Sequence, residues 1–120
     1  MSTTKSVISS LEEQLKLVDN IMDNFDFHKV YRVMKMLRWT WAFSENGVPE
    51  EYELRKHARA ELNRVLAEVI GGYNEFQTSC GGFEAHAKRW PAEKEGDKPC
   101  VQLTLKFVLT DWDADTSYDN

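Results

Sequence analysis

The chain has 120 residues, of which 42% are hydrophobic and 29% are charged, and its formal net charge is −5. This length fits one globular domain, and the composition is that of an ordinary soluble protein. No apolar run reaches the roughly 18 residues that a membrane-spanning helix needs. The negative charge argues against non-specific binding to DNA or to an anionic membrane. We therefore expect a small cytoplasmic protein that makes no contact with membranes.

A first amphipathic helix is predicted over about residues 5–25. Its apolar residues follow alternating spacings of three and four: Ile8, Leu11, Leu15, Val18, Met22 and Phe25. This heptad pattern is typical of a helix that packs against another helix. Two interpretations stay open, because the same pattern serves the core of one chain and the interface of an oligomer. The apolar surface that the helix would expose favours a homo-oligomer. The residues predicted to be exposed are Ile8, Leu11, Leu15, Val18 and Met22.

Two more helices are predicted in the next part of the chain. Asp26 is placed to cap the second helix, which carries apolar residues on two sides. These residues are Phe27, Val30, Tyr31, Val33, Met34 and Leu37. The segment 48–51, Val-Pro-Glu-Glu, opens a third helix, since proline and acidic residues favour a first turn. The core stripe of the third helix is Leu54, Ala58, Leu62, Val65 and Val69, and Gly71-Gly72 ends it.

Two strands with one buried face are predicted where apolar residues occupy every second position. They cover residues 81–87 and 101–107, and a charged loop over 91–99 joins them into a β-hairpin. The aromatic segment 39–43 is predicted as a short extra strand or an extended link. The fold class is therefore α+β, with two or three helices packed on one face of a small antiparallel sheet. Residues 1–110 form this domain, and 111–120 form a loosely ordered acidic tail in which Trp112 is packed.

The predicted hairpin keeps the two cysteines apart. It places Cys100 beside Lys88 or Trp90 and Cys80 near Leu109, at opposite ends of the ladder. A disulfide spans only about 4–7 Å between Cα atoms. We therefore predict two free thiols, as is typical of a reducing compartment.

Metal-binding and catalytic motifs are missing from the sequence. His28, His57 and His86 are isolated from one another, so no zinc-ligand spacing arises. The nucleophile elbow, the phosphate-binding loop of nucleotide hydrolases and the dinucleotide-binding glycine motif are also missing. The sequence thus predicts no catalytic residue, no metal and no cofactor, which favours a protein that is not an enzyme.

Basic residues are concentrated between residues 27 and 66 of this acidic chain. They are Lys29, Arg32, Lys35, Arg38, Arg55, Lys56, Arg59 and Arg64. Arg38 directly precedes Trp39 and Trp41, and Arg55 and Arg59 lie one turn apart on the third helix. This combination suits a nucleotide, because guanidinium binds phosphate and an aromatic ring stacks on a base. The other interpretation is that both tryptophans are core residues and the basic residues form a solvated face.

A glycine pair precedes the first predicted hairpin strand. In Gly81-Gly82-Phe83 the glycines permit positive φ angles and close approach by another group. A phosphate-binding nest of backbone N–H groups is one interpretation, and a bulge or twist at the start of the strand is the other. The predicted ligand-binding residues are Arg38, Trp39, Trp41, Arg55, Arg59, Gly81, Gly82 and Phe83.

Several short motifs occur in a recognisable order between residues 26 and 109. They are W-x-W at 39–41, V-P at 48–49, G-G-F at 81–83 and L-x-L-x-F at 103–107. In this order they resemble a widespread set of short bacteriophage-encoded proteins. The resemblance implies an anti-defence factor. One class of such factors sequesters nucleotide immune signals without hydrolysing them, and another blocks a defence enzyme by direct contact.

The resulting hypothesis is a phage-type anti-defence protein that binds a nucleotide second messenger without turnover, in the cytoplasm of an infected host cell. The messenger would be of the cyclic-oligonucleotide or ADP-ribose type. The alternative is an inhibitor whose acidic surface and tail occupy a basic site on a host defence protein. A structural or assembly role in the phage is a third interpretation. Ligand stabilisation separates the first two, because the first protein is stabilised by a small nucleotide alone.

Overall fold

The computed structural model describes residues 2–6, 11–45, 47, 49–90, 100–111 and 114–119. Its elements are β1 (Ser2–Ser6), α1 (Leu11–Asn24), α2 (Phe27–Met36), α3 (Glu51–Ile70), β2 (Glu75–Cys80), β3 (Phe83–Trp90), β4 (Cys100–Asp111) and β5 (Ala114–Asp119). The helices pack against an antiparallel sheet, so the predicted α+β class is confirmed. Among the described residues no helix combines the length and the apolar character needed to cross a bilayer.

Strand β4 is the centre of the sheet. One of its edges pairs with β3, and β2 follows on the far side of β3. Its other edge is shared by two strands: β1 pairs with 101–105, and β5 pairs with 106–111. All of these pairings are antiparallel. One long strand thus holds both outer segments of the described chain.

The predicted hairpin and its buried face are confirmed. Phe83 pairs with Phe107, and Trp90 pairs with Cys100. Odd-numbered side chains of β3 and β4 point into the core, as the alternation of the sequence required: Phe83, Ala85, Ala87, Val101, Leu103, Leu105 and Phe107. Both cysteines are free, and each is partly exposed. The predicted loop 91–99 lies outside the described residues.

The extra strand is not where the sequence placed it. Residues 39–43 form no strand, because their backbone is used in turns: the Trp41 N–H donates to Gly47 O and the Ser44 N–H to Trp41 O. The strand that extends the hairpin is β2, which pairs with β3. Ser2–Ser6 overlaps the start of the helix predicted over about 5–25 but is a strand that pairs with β4. The segment predicted as a loosely ordered tail supplies β5, and Trp112 lies outside the described residues.

The heptad residues of α1 that the structure describes serve mostly in the core of the chain. Val18, Met22 and Phe25 are buried, whereas Leu15 is 51% exposed. The prediction that Val18 and Met22 are exposed is therefore wrong, since α1 packs against α3 and the sheet. The helix begins at Leu11 rather than near residue 5. Ile8 lies outside the described residues.

The limits of α2 follow from local hydrogen bonds. Asp26 caps the helix as predicted, since its side chain accepts from the Lys29 N–H at 2.9 Å. At the other end the Arg38 N–H donates to Lys35 O, and the Trp39 N–H donates to Met34 O. This is a Schellman motif, in which the residue after the cap takes positive φ. Here that residue is Arg38, with φ 53°, where glycine is favoured. The exposure of Leu37, predicted as part of an apolar stripe, follows from this ending.

Helix α3 is the main support of the core. Its predicted stripe of Leu54, Ala58, Leu62, Val65 and Val69 is fully buried. The Glu50 N–H donates to the Glu53 side chain and thereby satisfies one free donor at the start of the helix. Gly71 is the C-cap, as the sequence predicted. The other faces of α3 contact α1, α2 and β2.

The strained position of Arg38 gives a first prediction. We expect Arg38→Gly to raise the free energy of unfolding by up to about 1 kcal/mol. It removes an αL cost of about 1–2 kcal/mol but increases the entropy of the unfolded chain. The matched control is Arg32→Gly in the middle of α2, which should lower stability by about 1 kcal/mol. Urea unfolding of both variants measures the difference, and a loss of stability in Arg38→Gly would contradict the strain.

Candidate functional site

Two side chains hold the turn between β2 and β3 from the helical side. The Trp41 Nε1–H donates to Gly81 O at 2.9 Å, and His57 Nε2 lies 2.9 Å from Cys80 O. Because a carbonyl oxygen can only accept, this nitrogen of His57 carries the proton. The loop after α2, helix α3 and the sheet are therefore joined at one point.

Three rings surround this turn. Phe43 stacks on His57 with 4.4 Å between ring centroids, and Trp41 meets both rings at 5.2 Å. A Cβ placed on Gly81 would lie 2.9 Å from Trp41 Nε1 and 3.0 Å from atoms of His57 and Phe43. Gly81 also has φ +64°. We call Trp41, Phe43, His57 and Gly81 the turn cluster, and only glycine fits its last position.

The second glycine is fixed by the sheet. Gly82 has φ +91°, and a Cβ there would lie 2.6 Å from the Phe107 ring. Its carbonyl oxygen accepts from the Val108 N–H. Phe83 is fully buried in the core next to Phe107. Packing around the turn thus accounts for the G-G-F motif, in agreement with the bulge-or-twist interpretation.

A set of ionisable side chains lies beside the turn cluster. Glu61, one turn after His57 on α3, is only 8% exposed, and its Oε2 accepts from the Thr78 hydroxyl at 2.5 Å. One ligating atom from each of His57, Glu61 and Cys80 lies within 4.8 Å of the others. Burial raises the pKa of the Cys80 thiol, the charge of Glu61 raises it further, and Arg64 opposes this. A protonated thiol is a weak nucleophile, so the arrangement does not favour cysteine catalysis.

A small cavity of about 330 Å³ opens next to the turn cluster. Among the described residues its lining consists of Phe43, Glu45, Tyr52, Glu53, Lys56, His57 and Ala60. The lining thus combines the carboxylates of Glu45 and Glu53 with one lysine, Lys56. This balance gives no excess of positive charge, which makes the cavity a poor site for a phosphate.

A larger cavity of about 710 Å³ follows helix α2. Its described lining residues are Asp26, His28, Lys29, Arg32, Val33, Lys35 and Met36, and we call this space the α2 cavity. Asp26 is engaged in capping the helix. The remaining ionisable residues of this lining are all basic, and they belong to the basic stretch seen in the sequence.

The partners of these basic side chains differ. His28 Nδ1 lies 3.1 Å from Glu51, and the Lys35 ammonium lies 5.7 Å from the Tyr31 ring centroid. Arg32 is exposed and has no ion-pair partner within the described part of the chain. Arg32 is therefore the guanidinium of this cavity that is available to an anion.

Two of the predicted ligand-binding arginines are already paired. Arg55 lies 3.3 Å from Glu51, and its guanidinium sits 4.9 Å from the Phe27 ring centroid. Arg59 lies 2.6 Å from Asp19 of α1. These contacts direct both side chains toward α1 and α2, whereas the turn cluster lies against β2 and β3.

The other predicted ligand-binding residues fall into two groups. Trp41, Gly81, Gly82 and Phe83 lie in or directly beside the turn cluster, where Trp41 is buried as its core interpretation predicted. Trp39 is half-buried against the core, and Arg38 is exposed at the end of α2. No described contact joins Arg38, Arg55 or Arg59 to the turn cluster.

Sequence reasoning left out the cluster formed by His57, Glu61 and Cys80. A histidine and a glutamate four residues apart on a predicted helix were the available signal, because that spacing places them on one face. Cys80 joins them only through the position of β2, which the sequence did not predict. The α2 cavity was visible as a basic helix face but was not assigned to the site.

Comparison with known proteins gives no match to this chain among family models, curated proteins or solved structures.

The turn cluster gives a second prediction. We expect Gly81→Ala to cost more than the αL strain of about 1–2 kcal/mol, because the added Cβ meets three rings. Gly47→Ala is the matched control, since Gly47 has a similar φ of +74° but nothing lies within 4 Å of a Cβ placed there. Thermal and urea unfolding measure both. Equal losses of stability in the two variants would contradict the prediction, because they would mean that the three rings move aside at no cost in free energy.

Proposed function

We propose that the protein binds a phosphorylated nucleotide in the α2 cavity and holds it without converting it. The observation that carries this proposal is a cavity of about 710 Å³, in a chain of net charge −5, whose described lining has Lys29, Arg32 and Lys35 against the single carboxylate of Asp26.

Charge favours phosphate as the group that is bound. Lys29, Arg32 and Lys35 lie on one side of α2 and line the same space. Charge-assisted hydrogen bonds contribute about 1.5–3 kcal/mol each, and arginine offers two parallel N–H groups to one phosphate. Two charge-assisted contacts to a phosphate therefore contribute more binding free energy than two hydrogen bonds to a neutral polar ligand.

The size and the apolar part of the lining favour a nucleotide over a free phosphate. Ligand pockets for small organic molecules span roughly 300–1,000 Å³. Val33 and Met36 supply apolar contact, and Met36 is 72% exposed. An exposed, adaptable thioether suits the face of a base. Arg38 follows at the end of the same helix, where its side chain is exposed.

Binding without turnover fits the chemistry of the described residues. The Cys80 thiol has a raised pKa, and it is not among the lining residues of the α2 cavity. The resemblance to phage-encoded proteins supports sequestration of a nucleotide immune signal, of the cyclic-oligonucleotide or ADP-ribose type, in an infected cell. Arg55 and Arg59 are left out of the binding site because each already pairs with an acid.

The third prediction tests the location of the site. In a panel of cyclic di- and trinucleotides and ADP-ribose derivatives, at least one compound should raise the Tm of the protein. Arg32→Ala should abolish that shift with little change in the Tm of the free protein, because Arg32 is exposed. Arg59→Ala is the matched control: it removes an exposed arginine of α3 and should leave the shift intact.

Three other results of these binding experiments would contradict the proposal. Loss of the shift in Arg59→Ala but not in Arg32→Ala would return the site to the arginines predicted from the sequence. No shift with any compound would favour the alternative, an inhibitor of a host protein. A cleaved product recovered after denaturation would contradict binding without turnover.

We also propose that the protein forms a homo-oligomer through α1. Leu15 is 51% exposed on this helix and extends the apolar stripe of the buried Val18 and Met22 beyond the core. As a fourth prediction, Leu15→Asp should reduce the mass measured by light scattering while leaving the unfolding free energy of the separated chain within about 0.5 kcal/mol. A wild-type mass of 14.0 kDa at micromolar concentration would contradict the oligomer.

A further inference from the structure

The buried carboxylate of Glu61 lies between α3 and β2. It is 8% exposed, and among the described residues Thr78 is its hydrogen-bond donor while no cation pairs with it. A buried charge is costly unless it is paired or coordinates a metal, because the interior solvates it poorly. The Thr78 hydroxyl donates to one oxygen of Glu61, and no donor from the described part of the chain contacts the other oxygen.

Two further metal-ligating groups lie next to this carboxylate. His57 is one turn earlier on the same face of α3, and Cys80 ends β2 at the glycine turn. One nitrogen, one sulfur and one oxygen from the three residues lie within 4.8 Å of each other. The three ligands come from two elements, which the turn cluster already holds together.

The identities of the three ligands indicate the ion. Nitrogen, sulfur and carboxylate oxygen together are the ligand set of Zn²⁺, with bond lengths of about 2.0–2.3 Å. In a tetrahedral site such ligands are roughly 3.4–3.7 Å apart. Separations of up to 4.8 Å therefore need to shorten by at most about 1.4 Å, which side-chain rotation can provide.

We propose that His57, Glu61 and Cys80 bind a Zn²⁺ ion, with water as the fourth ligand. The sequence predicted no metal because His57 has no second histidine at ligand spacing. The folded chain supplies other ligand types instead.

Charge balances when the ion binds. The Cys80 thiol releases its proton to solvent and binds as thiolate, and Glu61 binds as carboxylate. His57 binds as neutral imidazole through Nδ1, because its Nε2–H remains donated to Cys80 O. The two negative charges offset the two positive charges of the ion, so the site around the buried Glu61 is neutral. Thr78 keeps its hydrogen bond to Glu61, and Phe43 keeps its stacking on the His57 ring, as outer groups that orient ligands.

Cobalt substitution provides the direct test. The chain is first treated with a chelator, and Co²⁺ is then added. We expect a thiolate-to-cobalt charge-transfer band together with tetrahedral d–d absorption, both of which Zn²⁺ abolishes by displacement. Cys80→Ser should lose the charge-transfer band, whereas the matched control Cys100→Ser, which changes the other cysteine at the far end of β3–β4, should retain it.

Calorimetry with Zn²⁺ alone tests the carboxylate. Glu61→Gln can still accept from Thr78 but loses its charge, and we expect at least about a tenfold loss of affinity, the size seen even when only an outer group is removed. Circular dichroism of each metal-free variant confirms that it folds. Retention of the charge-transfer band in a folded Cys80→Ser, or unchanged affinity in a folded Glu61→Gln, would overturn the proposal.

The cobalt and calorimetry experiments are both independent of the nucleotide proposal. The zinc ligands lie on α3 and β2, whereas the proposed nucleotide site lies on α2. Arg32→Ala should bind Co²⁺ as the wild type does, so failure of one proposal leaves the other standing.

Discussion

The two hydrogen bonds onto the glycine turn are the constraint on which the rest of the structure depends. Trp41 and His57 donate to the consecutive carbonyl oxygens of Gly81 and Cys80. Trp41 comes from the loop after α2, and His57 comes from α3. A single turn of the sheet therefore fixes both the path of that loop and the rotation of α3 about its axis. The close approach is possible because residue 81 has no Cβ.

The rotation of α3 determines which of its faces can act. With Leu54, Leu62 and Val69 in the core, the neighbouring positions divide between two sides. His57 and Glu61 face the sheet edge at β2, where the histidine and the carboxylate meet Cys80. Arg59 faces α1, where its charge is neutralised by Asp19. The same helix thus brings together metal-ligating groups on one side and removes arginines from ligand binding on the other.

The parts of the fold that the sequence predicted well depend on local periodicity. The stripe of α3 and the alternation in β3 and β4 reflect burial on one side, which spacing alone reveals. The Asp26 cap is similarly local, since it involves only residues 26–29. These features needed no knowledge of what lies across the core.

The parts that sequence reasoning missed depend instead on pairing between distant segments. Ser2–Ser6 has no strand pattern of its own, and it is a strand because β4 offers a free edge. Cys80 joins His57 and Glu61 only after β2 has paired with β3. Local propensity contains none of this information.

The shared edge of β4 has a consequence for chain connectivity. Asp119 at the end of β5 pairs with Lys106, and Ser2 at the start of β1 pairs with the next residue, Leu105. Both strands are antiparallel to β4, so they run in the same direction, one after the other. They make up a single edge beside β4, built from two segments that are far apart in the sequence. A short peptide linking Asp119 to Ser2 would therefore span only neighbouring positions along one strand, at little entropic cost. This placement suits circular permutation of the fold.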